Sequence, residues 1–392
     1  MCNPSASPFS LDLIHESKQH VQFLSSLHRN GITLAKPTYE SFRRYSNLWL
    51  PFVTKHKTRN LIPPADIAWL WHCHRLAPYR YINYVQKRFS KKDSSSSSSM
   101  MFLDPSHPFT FQMKDNKTND TINEKEHNEF CKETIKMFQE MYPNENFFND
   151  DSSGLDNATT PFNVYDNTKL DEFDVIESCI RQSTFLWQIS GSNFSSDIFL
   201  QQGVDNYDKF IRLMKNKQNK YNKPQFIIPT YQIDLIWHTH IVSSIQKYHD
   251  DVMHITGTIL EHDDSFNDRS EGSSLNVNFQ ATSKLWMDVY NEEYKVVGGM
   301  YRGEPPIEFF KCDWVDRNAD AYKKNFNGLD TELVHLMMQY GASSHGKTAW
   351  MNIDDHNAFL PANPRSTTRG VNTNPAKPGY IFGKGGKLVF YC

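Results

Sequence analysis

The sequence predicts a mainly α-helical protein: an internally duplicated core of two four-helix repeats, then a small irregular C-terminal segment containing a β-hairpin. Three observations carry that expectation. Apolar residues recur at helical spacing up to about Glu304. Four segments of the first half recur in the same order in the second. Beyond Pro305-Pro306 the texture changes to Asn, Pro and Gly, which do not sustain helices.

The first helix of each repeat contains Leu11-Asp12-Leu13-Ile14 with Phe23-Leu24, and Phe173-Asp174-Val175-Ile176 with Phe185-Leu186, at identical spacing. The second pairs Tyr39-Glu40-Ser41-Phe42-Arg43-Arg44 with Tyr207-Asp208-Lys209-Phe210-Ile211-Arg212, and Pro37-Thr38 offers a start with Thr38 as cap. The third pairs Pro63, Ile67, Trp71-His72 and His74 with Pro229, Ile233, Trp237-His238 and His240; the fourth pairs Thr134, Lys136, Phe138, Glu140 and Tyr142 with Thr282, Lys284, Trp286, Asp288 and Tyr290. Pro143 and Gly257 supply helix stops. Four helices per repeat are expected because a lone pair would leave its apolar stripe in water.

The boundaries that follow are a tail at 1–8, repeat one at 9–150, repeat two at 171–304 and a C-terminal extension at 305–392. Repeat one carries a flexible serine-rich insertion at about 91–122, with the run Ser94 to Ser99 inside it. Asn149 to Thr160 reads as a linker, and Asp263 to Ser274 as an acidic, serine-rich loop. In the extension one helix is expected at Leu329 to Tyr340. A closing hairpin over 380–391 turns at Gly383-Lys384-Gly385-Gly386.

Composition narrows the function classes. A chain of 392 residues suits two or three domains, and 38% apolar with 14% aromatic residues can fill real cores. A net charge of -3 argues against a strongly electrostatic nucleic-acid or membrane binder. The six cysteines are scattered, with no C-x-x-C pair, and Cys392 as last residue forms no prenylation box. No signal peptide and no membrane span is read, so a cytoplasmic protein with free thiols is expected, its partner a protein or peptide.

The two Trp-His-x-His segments hold the chemistry-bearing residues. Ile67, Leu70, Trp71, His74, Pro78 and Tyr81 share one helical face, as do Ile233, Ile236, Trp237 and His240. Trp71, His74, Trp237 and His240 are therefore expected in the core. His72 and His238 lie about 200° around the helix from them, so one helix cannot bring both its histidines to one ion. Asp234 is one helical turn before His238; the first copy has Ala68 there, while its Asp66 corresponds to Gln232. Three readings stay open. The inward histidines are hydrogen-bonded core residues. Alternatively His72, His238, Asp234 and Asp66 supply zinc or iron ligands from two helices between the repeats. Or an unmetallated histidine is a general base oriented by Asp234, with Arg75 available to an anionic group. Whether the chain is an enzyme is left undecided. P-loop, dinucleotide, nucleophile-elbow and RNA-recognition motifs are absent.

Asp66-Ile67-Ala68-Trp69-Leu70-Trp71-His72-Cys73-His74-Arg75-Leu76 and Ile233-Asp234-Leu235-Ile236-Trp237-His238-Thr239-His240 resemble the two signature helices of the glycine-rich domain-containing protein family. Pro78 and Tyr81 follow as that family has them, and Tyr142-Pro143-Asn144-Glu145 and Met300-Tyr301-Arg302-Gly303 resemble its later motifs; the likeness covers about residues 9–304. That family is widespread in plants and fungi and is associated in plants with growth and stress responses; the resemblance implies no assigned activity and no catalytic residue. The chain departs from the pattern at Ser244, where a proline is expected, and at Gln232, where an aspartate is. It also lacks the RNA-recognition module of some members, and little of a glycine-rich tail remains. The first expectation is thus a non-enzymatic interaction protein with a binding groove between the repeats; the second is a metal- or histidine-dependent enzyme.

Overall fold

The computed structural model describes residues 7–30, 32–33, 37–90, 100–114, 124–149, 169–183, 185–189, 192–220, 226–264, 274–296, 379–382 and 388–391. Its first half holds α1 (Leu13–Arg29), α2 (Tyr39–Arg43), a π-helical turn (Arg44–Trp49), α3 (Leu50–Lys55), α4 (Ala65–Arg75), α5 (Pro78–Phe89) and α6 (Glu124–Met141). The second opens with the two-residue strands β1 (Lys169–Leu170) and β2 (Phe173–Asp174). It continues through α7 (Val175–Gln182), α8 (Phe185–Gln188), a 3-10 turn (Ser192–Ser195), α9 (Asp197–Lys220), α10 (Tyr231–Ser243), α11 (Ile245–Thr256) and α12 (Ser274–Tyr290). Near the C-terminus β3 (Gly379–Phe382) pairs antiparallel with β4 (Leu388–Tyr391), Tyr380 opposite Phe390. The fold is mainly α with this small hairpin, as expected; the helix expected at 329–340 lies outside the described residues.

Helix starts follow local chemistry. Asp12, Thr38, Asp174 and Thr230 each accept a hydrogen bond from a backbone N–H in the first turn of the helix that follows. The long histidine helices are each divided, which corrects the four-helix repeat. Pro78 lacks an N–H and starts a new helix, so α4 ends at Arg75. Ser244 has extended backbone (φ -161°, ψ 117°) and its hydroxyl caps α11 by accepting from Lys247 N–H. A capping serine thus ends one helix and starts the next where the first half uses proline.

A second correction concerns residues 100–114, expected within a solvated insertion. Leu103, Phe109 and Phe111 are buried there. Gln112 N–H bonds Pro63 O, and its side-chain amide bonds Ile62 O, tying the segment to the start of α4. Three bulky apolar side chains within nine residues outweigh the polarity around them. The serine run itself is outside the described residues.

Several hydrogen-bond arrangements occur once in each half. Trp71 Nε1 donates to Tyr81, whose hydroxyl donates to Leu103 O; Trp237 Nε1 donates to Tyr248, whose hydroxyl donates to Leu260 O. Tyr45 hydroxyl bonds His74 Nδ1 at 2.9 Å, and Tyr207 hydroxyl bonds His240 Nδ1 at 3.2 Å. Thr134 accepts from Ile62 N–H and Thr282 from Ile228 N–H. These bonds set Tyr45, not Tyr39, against Tyr207, which corrects the match read for the second helices. Beyond that tyrosine the halves differ by one residue. Trp49, four after Tyr45, packs on Trp71, whereas Phe210, three after Tyr207, packs on Trp237. The π-helical turn accommodates the extra residue, which hid the correspondence.

The halves interlock. α1 packs against α9 and α10, and α7 against α4. Phe9, ahead of α1, stacks on Tyr207 and meets His240 edge-on, while Phe173 stacks on His74. Asp104 of the first half accepts from Ser244 Oγ and from the N–H groups of Ile245 and Gln246 at the start of α11. Glu261 of the second half accepts from Tyr79 N–H at the start of α5. Each half thus supplies a carboxylate to a helix N-terminus of the other. These contacts join the two halves directly.

Candidate functional site

All four motif histidines are buried, at 1% exposure or less, so the helical phase decides which neighbours each meets rather than which one reaches water. His74 and His240 sit beside the tryptophans, as the apolar stripe predicts. Burial drives the His74 pKa down to about 3. His240 lies between Tyr207 hydroxyl at Nδ1 and Asp251 Oδ2 at Nε2, 3.2 Å from each. Burial lowers its pKa against the pull of Asp251, so the neutral ring donates from Nε2 and accepts at Nδ1. Asp251 also accepts from Ser10 N–H and Oγ; burial opposes its ionisation, but these bonds hold its pKa below the usual value.

His72 faces α1. Its ring lies 5.0 Å from that of His20 and is stacked on Trp69 at 5.4 Å. His20 Nδ1 bonds Thr239 of α10 at 3.0 Å, so His20 links both motif helices. Burial, reinforced by the Arg75 charge, takes the His20 pKa down to about 3. Burial, then His20, Arg75 and His238, push His72 well below the ordinary value. No carboxylate bonds His72 among the described residues.

Two other predicted residues lie elsewhere than a shared site would need. Asp66 accepts from Arg44 Nη1 at 2.9 Å and from Ser41 Oγ at 2.6 Å. It is the partner of a buried guanidinium, and the second half puts the uncharged pair Asn206–Gln232 at the matching place. Arg75, the candidate for an anionic group, is 2% exposed. It donates to Val242 O of the other half and lies 5.5 Å over the Trp71 ring. With its head group bonded to backbone, it joins the halves and does not present an anion site.

The structure does bring His238 and Asp234 together, with a third residue that sequence reasoning missed. His238 Nε2 lies 2.8 Å from His262 Nε2 and 3.4 Å from Asp234 Oδ1; His262 Nε2 lies 3.5 Å from the same oxygen. Burial drives His238 well below the ordinary value although Asp234 pulls it up. For His262, burial lowers the pKa, but the bond and charge of Asp234, with Asp264 and Glu261, raise it overall. His262 was hidden at the edge of a segment read as a solvated loop. The available signal was the apolar Ile259-Leu260 just before it, matching the buried Leu103.

Comparison with known proteins places the chain. The family model for "Glycine-rich domain-containing protein-like" matches residues 2–84 and 80–251. Glycine-rich domain-containing protein 1 of Arabidopsis thaliana is 32% identical over 347 residues, which is 84% of this chain and 39% of that protein. Glycine-rich domain-containing protein 2 of the same plant is 32% identical over 306 residues, 76% of this chain and 35% of its own length. The chain therefore spans less than two-fifths of either relative. No solved structure matches it.

Proposed function

The chain belongs to the glycine-rich domain-containing protein-like family, and from the packing of its two signature helices we propose that it is a non-enzymatic interaction module of the cytoplasm whose partner is a protein or peptide. One observation carries this reading: His72, His74, His238 and His240 are all enclosed by protein, at 1% exposure or less. A general acid or base must come within hydrogen-bond reach of a substrate, whereas these rings contact Tyr45, Tyr207, Trp69 and Phe185. The motif then acts as a keystone that locks the halves and holds an outer surface in shape. No helix among the described residues is long and apolar enough to cross a membrane. The near-neutral charge supports a protein partner over a nucleic acid.

The test uses cells lacking their own copy and the full chain. His72→Gln and His74→Gln are compared with substitutions at the exposed Tyr79, Ile198 and Val277, reading rescue and Tm together. The expected result is that rescue by the histidine variants falls only as far as Tm falls. A histidine variant with unchanged Tm and no rescue would show chemistry at the ring and overturn the reading.

A further inference from the structure

The geometry points to a divalent metal site of zinc type formed by Asp234, His238 and His262, a site distinct from the interaction role above. In the structure Asp234 Oδ1 and the two Nε2 atoms all lie within 4.8 Å of one another. Metal–ligand bonds of about 2.0–2.1 Å set neighbouring donors of a tetrahedron about 3.3 Å apart. The two carboxylate–imidazole separations, 3.4 and 3.5 Å, already have that value. Only the 2.8 Å imidazole pair must open, by about half an ångström. Without an ion, that pair is held by one shared proton; an ion bonds both lone pairs at once.

The ligand set is supported on every side. His238 and Asp234 are one helical turn apart on α10, which fixes their spacing. Phe185 packs on the His238 ring at 4.2 Å, and Trp237 meets the His262 ring edge-on at 5.0 Å. The segment bearing His262 is pinned at both ends. Glu261 accepts from Tyr79 N–H, and Asp264 accepts from Ser178, Arg181 and Gln182 of α7. A ligand held this way gives up little conformational entropy on binding.

The donor types choose the ion. Two imidazoles and one carboxylate suit zinc or ferrous iron. An octahedral ion would need three further positions, and His238 at 1% and His262 at 8% exposure leave little room for them. A four-coordinate ion needs one, on the side where the Asp234 side chain keeps 17% exposure. The first half cannot form the same site. Ala68 stands where Asp234 does, and His72 is packed between His20 and Trp69. A bound ion would tie α10 to the 257–264 segment, and through Asp264 to α7.

The experiment is zinc binding to the full chain after chelation and dialysis, read by metal analysis, with cobalt(II) as a spectroscopic probe of coordination. The expected result is one zinc per chain, a tetrahedral cobalt spectrum and a Tm that rises with zinc. Asp234→Asn and His262→Gln, each first shown folded by circular dichroism, should each weaken binding at least tenfold, while His72→Gln keeps full stoichiometry. Absence of zinc binding by the wild-type chain overturns the proposal. So does binding that survives both ligand substitutions, or loss of binding in folded His72→Gln. One ferrous iron per chain with six-coordinate character overturns the zinc assignment.

Discussion

Acidifying the protein from pH 7.5 to 5.5 should cost it stability through His20 and His74. Both are fully buried, and burial takes each pKa from 6.5 to about 3. In the unfolded chain both titrate near 6.5, so between 6.5 and 3 the unfolded state binds protons the folded state refuses. Their folded pKa values are depressed, so this stability is complete above about 6.5 and lost as pH falls toward 3. At pH 5.5 each histidine costs about 1 to 2 kcal/mol, roughly 3 kcal/mol for the two. Glu261 acts in the opposite direction. Burial pushes its pKa up to about 7, so protonation over the same window favours the folded state by about as much as one histidine costs. The raw wild-type curve therefore mixes signs, and the informative quantity is its difference from the double variant His20→Gln/His74→Gln. Thermal melts or urea titrations at pH 7.5, 6.5 and 5.5 measure it. The variant, less stable at every pH, should lose about 3 kcal/mol less than wild type across the window, or roughly 5 °C in Tm. Parallel pH curves for the two proteins would show that the imidazoles are hydrated and refute the burial argument.

Trp71→Ala and Trp237→Ala should each destabilise by about 3–5 kcal/mol in denaturant titrations, since each deletes a buried indole and leaves its tyrosine partner short of a donor. Asp66→Asn should cost about 2 kcal/mol by the same measure; it strands the buried Arg44 charge, and the 21% exposure of the Asp66 side chain keeps the loss below that of a fully enclosed pair. Loss under about 0.5 kcal/mol would mean that water replaces the carboxylate. Asp104→Ala should lower stability by about 1 kcal/mol, because it uncaps α11 from the opposite half. If the halves are separate folding units, that change will leave the melting of the second half untouched, which hydrogen exchange on α11 reads directly.

Helical periodicity, cap residues and the Trp-His-x-His pairs were legible from the chain because they depend on neighbours within a few residues. Local spacing was enough to place Trp71, His74, Trp237 and His240 in the core and to put Asp234 beside His238. The same local logic misjudged what depends on distant partners. Arg75 reads as available to an anionic group because no nearby residue explains its burial; its partner Val242 is 167 residues away. Tyr39 was matched to Tyr207 because sequence comparison has no means of seeing a π-helical turn, whose extra residue is absorbed by backbone hydrogen bonding. Asp66 was placed among the metal ligands, although its charge is committed to Arg44 on another helix. His262 stands just ahead of the acidic loop, and only tertiary contacts, through Glu261 and Asp264, hold it against α10. Sequence by itself determined that the chain is mainly helical and which faces of the motif helices are apolar, since those follow from periodicity and propensity. The tertiary structure alone decided that α1 and α7 cross to the opposite half, and that His238 meets His262 rather than His72. Those outcomes depend on how whole apolar faces are shared between elements far apart in the chain, which no local pattern encodes.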